Sequence, residues 1–126
     1  MNNTNGLIQI SGFRRGEQEI WISKEQWFSP IQITASNMSQ LPVWKELLCD
    51  LIEKWRSKAQ EIQQSWRCDW HVKGAAIRFL YKDQMYLICP SVIDASPELF
   101  EHMSYDMEQE LRRRGCIYTS YLGTID

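Results

Sequence analysis

Long hydrophobic runs are missing from this chain: the longest, such as residues 86–89, reach four or five residues, against the roughly 20 needed to cross a bilayer. No membrane span is therefore expected. A charge excess is missing too. Fourteen Lys and Arg stand against 16 Asp and Glu, a net charge of −2, and the signs are interspersed. That balance disfavours attraction to nucleic acid or to anionic membranes. Glycine and proline are sparse, at six and four. There is no glycine-rich phosphate loop, no Gly-x-Ser-x-Gly and no His-Glu-x-x-His, so the common phosphate-binding, serine-hydrolase and zinc-protease constellations are excluded. The first six residues carry neither a basic stretch nor an apolar one. They read as a frayed lead to a cytoplasmic protein.

Cysteine is present without a pattern. Cys49, Cys68, Cys89 and Cys116 are separated by 19, 21 and 27 positions with no Cys-x-x-Cys, so free thiols are expected rather than a disulfide framework or a metal knuckle. The one Cys-x-x-His, Cys68 to His71, falls in a stretch that alternates like a strand. Residues three apart on a strand face opposite ways, so no shared metal and no other cofactor is expected.

Aromatic residues are abundant, with six Trp, five Tyr and four Phe among 126 residues, a length that suits one domain with one core. Residues 7–13 and 17–23 flank Arg14-Arg15-Gly16 and form a hairpin that pairs Ile10 with Ile20 and Ile8 with Ile22 on one face. Residues 28–34 add a strand with Ile31 and Ile33 inward, at an edge because Pro30 lacks a ladder donor. From Pro42 to about Gln64 the period becomes helical, through Leu41, Trp44, Leu48, Leu51, Trp55 and Ile62. The same spacing admits a helix-mediated dimer, with Lys58 at one seam position against it.

Residues 66–90 divide at Lys73-Gly74 and Lys82-Asp83 into three equal strands. Two-residue turns place Trp70, Ile77 and Ile88 in one row, Cys68, Phe79 and Tyr86 in the next, then Trp66, Tyr81 and Gln84. The reverse face carries His71, Ala76 and Cys89; Asp69, Arg78 and Leu87; and Arg67, Leu80 and Met85. Asp69 faces Arg78, which predicts an ion pair. Ser96-Pro97-Glu98 opens a second helix with inner residues Leu99, Phe100, Met103, Met107 and Leu111, and Gly115 ends it. Arg112-Arg113-Arg114 suits the negative end of that helix without any ligand. Residues 116–122 alternate as a closing strand. The fold class is α+β: antiparallel meanders in the order βββα-βββα-β form one curved sheet over residues 1–126, with two helices on one face.

The sheet's reverse face is too apolar, at Leu80, Met85 and Leu87, to be merely solvated. With Arg67, Asp69, His71 and Arg78 beside them, and with Trp21 on the polar face of the first hairpin and Trp27 in an irregular connection, these residues make a candidate binding surface. The expectation is a non-enzymatic cytoplasmic module of the inhibitor, immunity or secretion-accessory kind, docking a protein partner or a second copy, with no catalytic residue, metal or cofactor. The alternative is a small enzyme or ligand sensor using His71, Asp69 and Arg78 in a pocket between helix and sheet.

Overall fold

A computed structural model describes residues 6–10 and 20–125. Residues 1–5 and the expected turn at Arg14-Arg15-Gly16 lie outside the described residues. β1 (Leu7–Ile10) and β2 (Ile20–Ser23) pair antiparallel in the expected register, with Ile8 opposite Ile22 and Ile10 opposite Ile20. They form a two-stranded sheet of their own rather than part of one curved sheet. What separates them from the rest is a short helix, α1 (Lys24–Phe28), in the connection expected to be irregular. Its start is fixed by a reciprocal cap: the Gln26 amide donates to Ser23 Oγ at 3.1 Å and the Ser23 amide to Gln26 Oε1 at 2.9 Å.

β3 (Ile31–Ile33) then joins the main sheet as an edge strand. Its pairing with β5 (Gln84–Ile88) is parallel, with Ile33 beside Ile88. A parallel pair needs a long crossover, and the helical segment from Pro42 to Gln63 supplies it. That segment begins with one wide turn at Trp44–Leu48, in which the Cys49 amide reaches back to the Trp44 carbonyl, and continues as α2 (Cys49–Gln63). The wide turn shifts the phase of the apolar stripe, so Leu47 and Ile52 are buried along with the expected Leu48, Leu51 and Trp55.

β4 (Val72–Tyr81) and β5 meet at Lys82-Asp83, whose φ values of 50° and 66° match the turn that twists with its strands. Ile77 faces Ile88, Arg78 faces Leu87 and Leu80 faces Met85, as expected. Lys73-Gly74 is no turn. Gly74 lacks the positive φ of a tight turn, and the pair marks a bulge within β4. Residues 66–71 therefore form no strand. The place expected for Trp70, Cys68 and Trp66 is taken by β6 (Tyr118–Ile125), which sets Tyr121 opposite Ile77, Thr119 opposite Phe79 and Ser120 opposite Arg78. Both segments alternate, and alternation alone does not say which one pairs. Between β5 and β6 runs α3 (Pro97–Arg113), capped by Ser96 Oγ on the Leu99 amide at 3.2 Å and terminated by Gly115 at φ 108°.

The sheet order is β3-β5-β4-β6. One face, with Ile33, Ile77, Phe79 and Ile88, is covered by α2 and α3 in the main core. The other is not left open. Ile22 seals Leu80 and Met85 in a second, smaller core, ringed by Ile8, Ile20, Trp27 and Tyr118. The molecule thus has helices, sheet and hairpin in three layers.

Candidate interaction surface

The residues expected to form one binding face fall in two places. On the reverse face of the sheet, the Arg78 guanidinium lies over the Trp27 ring, 4.5 Å from its centroid, and Trp27 in turn tilts against Tyr118 at 5.5 Å. Arg78 Nε is buried with no hydrogen-bond partner, so the ring face is what compensates its lost hydration. Leu87 is half-buried beside it, and Trp21 is half-buried on β2. Leu80 and Met85, at 2% and 0% exposure, are not surface residues. The hairpin and Trp27 cover them, because an apolar sheet face buries itself against whatever chain can reach it.

Arg67, Asp69 and His71 lie elsewhere, exposed in the 66–71 connection. His71 precedes Arg78 by seven extended residues, about 23 Å. The expected Asp69–Arg78 ion pair therefore does not form, and His71, Asp69 and Arg78 share no pocket. Instead the connection straps the first two turns of α3. Moving along the strap, the Trp66 ring sits 5.6 Å from His102, Trp70 Nε1 donates to Glu101 Oε1 at 3.4 Å, and the Val72 amide donates to Glu98 Oε2 at 3.4 Å. The strap runs antiparallel to the helix. Backbone amides at the helix start hold the Glu98 carboxyl below its usual range. Trp70 is left 43% exposed.

Next to this strap lie β6 and the adjoining flank of α3. Tyr121 folds back over Gly123, where any Cβ would collide with its ring. Its hydroxyl is buried, and that burial, with the Glu101 charge beside it, pushes its pKa up to about 12. Arg112 donates through Nε to Thr119 Oγ1 at 2.8 Å and through a terminal nitrogen to the Thr119 carbonyl at 3.4 Å. Burial pushes the neighbouring Glu108 carboxyl up, against the pull of Arg112. Glu101, Tyr105, Glu108 and Arg112 are spaced by four, three and four, which puts them on one side of α3. That spacing, and the run from Tyr118 to Ile125 without a charge or a proline, were the available sequence signals for this surface.

On the far side of α3 the arginine run is consumed internally. Arg113 bonds Glu110 at 2.8 Å, and Arg114 grips both Asp50 oxygens at 3.0 Å. These partners hold the Asp50 and Glu110 carboxyls below their usual range. A half-open groove of about 500 Å³ separates α2 from α3 there, with Trp55, Met103 and Met107 below and Lys54, Lys58 and Arg113 at its rim. It contains neither His71 nor Arg78. Among the described residues no three His, Cys, Asp or Glu side chains lie close enough to hold a metal ion, and no helix is long and apolar enough to cross a membrane. No protein-family model, curated protein or solved structure matches the chain.

The two outer strands of the main sheet, β3 and β6, differ. β3 offers three residues and follows Pro30, which is how natural sheets blunt an edge. β6 offers eight residues with no acidic or basic side chain and no proline, and among the described residues only β4 pairs with it. Exposed Trp70 reaches the α3 flank beside this strand through its contact with Glu101.

Proposed function

We propose that this chain is a non-enzymatic protein-binding module of the cytoplasm, and that it docks through the outer edge of β6 and the adjoining flank of α3. The expected reverse-face surface is occupied by the chain's own hairpin, so docking moves to the edge. The observation that carries this reading is the eight-residue, charge-free edge strand. A strand of that length presents a row of backbone donors and acceptors that another strand can complete, and its side chains set no charge against an incoming one. Trp70 supports it as a large side chain already oriented by Glu101, the type favoured at the centre of interfaces.

The test is a photo-crosslinking amino acid placed at Ser120 on β6 and, as control, at exposed Ser57 on α2. A discrete protein adduct in cells at Ser120 and none at Ser57 is expected. Equal, diffuse labelling at both positions would remove the edge as a docking site.

A further inference from the structure

We propose that the occupant of this edge is a second copy of the same chain, joined about a two-fold axis through Ser120. The proposal rests on β6 being a docking edge and adds the identity of what docks. In a two-fold interface each patch meets itself, so like charges near the axis repel. β6 has none. Antiparallel pairing centred on Ser120 sets Thr119 opposite the second copy's Tyr121 and Tyr118 opposite its Leu122, pairings of β-branched, aromatic and aliphatic side chains that favour a sheet.

The helix above gives an independent reason for the same axis. α3 rides on both β4 and β6 and runs antiparallel to β6, with Arg112 at Thr119 and Glu101 beside Tyr121. When strands pair at about 4.8 Å, a helix seated over the β4–β6 seam lies about 10 Å from its copy, the distance at which helices pack. A two-fold axis at Ser120 then brings Glu101 opposite the second copy's Arg112 and Arg112 opposite its Glu101, each in addition to the contact it already makes with Trp70 or Thr119. The flank carries Glu101 at its start and Arg112 at its end, with Glu108 one turn before Arg112. It is complementary to itself only in this antiparallel sense, and the strand register and the helix charges select one axis. The product is a continuous eight-stranded sheet with α3 of each copy side by side.

Three variants test this by native mass spectrometry and light scattering up to about 100 µM, a range that detects micromolar association. The wild type is expected to dimerise. Ser120→Lys, which sets two ammonium groups together at the axis, is expected to raise the dissociation constant at least about 100-fold while far-UV circular dichroism stays that of the wild type. Glu101→Arg is expected to weaken the dimer, and Arg112→Glu in the same chain to restore it. The two positions are about 16 Å apart along one helix, too far to rescue each other within a chain. Ser120→Cys is expected to give a covalent dimer on mild oxidation well above the wild-type background. A wild-type monomer at about 100 µM, a Ser120→Lys dimer of unchanged affinity, or failure of the charge swap to restore association would overturn the proposal. A monomer whose Ser120 crosslinks to a different protein overturns self-pairing and keeps the docking edge; a monomer with no Ser120 adduct overturns both.

Discussion

The two faces of the four-stranded sheet are buried in different ways. The helix face is sealed by α2 and α3, whose inner residues include Leu51, Ile52, Phe100 and Met107, all fully buried. The reverse face is sealed by the hairpin, where Ile22 meets Leu80 and Met85. An apolar surplus on a sheet face shows that something covers it, but says nothing about whether the cover is another molecule or the chain's own earlier segment. Here, among the described residues, it is β1, β2 and Trp27, folded back by the short helix that Ser23 and Gln26 cap.

The largest effect should come from the helix face. Phe79 is fully buried and stacks on Tyr86 at 5.4 Å, so Phe79→Ala should cost about 3 to 5 kcal/mol in urea unfolding. Its neighbour in sequence, Leu80, points the other way. Leu80→Ala should cost nearer about 2 kcal/mol, because a two-stranded hairpin can settle onto a smaller side chain more readily than two long helices can. The amides of Ile22 and Ser23 should then exchange faster than those of Phe79 and Ile77, as expected of the less buried unit. Equal costs at the two sites, with uniform exchange, would mean that the hairpin is as integral as the helices.

A second contrast is chemical. Cys116 is buried in the helix-face core, and burial pushes its thiol up to about 12 from an ordinary 9.0. The folded state therefore keeps the proton that the unfolded chain gives up. Stability from this group is fully present below pH 9.0 and is lost as the pH rises toward 12. The loss amounts to about 3 kcal/mol by roughly pH 11. Cys116→Ala should flatten that slope in melts between about pH 8 and 11. The reverse-face core of Ile22, Leu80 and Met85 has no titratable member, so alkaline melting should begin on the helix face. A Cys116→Ala slope no shallower than that of the wild type would contradict this.

The same contrast explains what the sequence made legible. The α+β class, the β4–β5 register, the first hairpin's pairing and the α3 limits were readable, because periodicity, capping residues and turn residues agreed at each place. The strand order was not. Trp66, Cys68 and Trp70 alternate as convincingly as Thr119, Tyr121 and their neighbours, and only tertiary competition decides which segment lies beside β4. That one misassignment carried Arg67, Asp69 and His71 onto a face where they do not lie. It also hid the α3 flank, since the flank becomes a site only once β6 is seen beneath it. The signal for α1, Ser-x-x-Gln, was present but short.

The smallest effect tests the seam between hairpin and sheet. Trp27 covers Arg78 with its ring, and the buried Arg78 Nε has no hydrogen-bond partner. Trp27→Leu keeps an apolar cover over Tyr118 but removes the ring face, and should cost about 1 kcal/mol, the scale of a partly desolvated cation–π contact. Arg78→Met, which keeps the stem and removes the charge, should change stability little, since it removes both the contact and the desolvated cation. In the double variant the cost of Trp27→Leu should largely vanish, because the cation that needed the ring is gone. A cycle in which the two costs simply add would show that Trp27 stabilises by apolar packing alone and that Arg78 is hydrated. The reverse face would then be held by Ile22, Leu80 and Met85, with no electrostatic clasp on the hairpin.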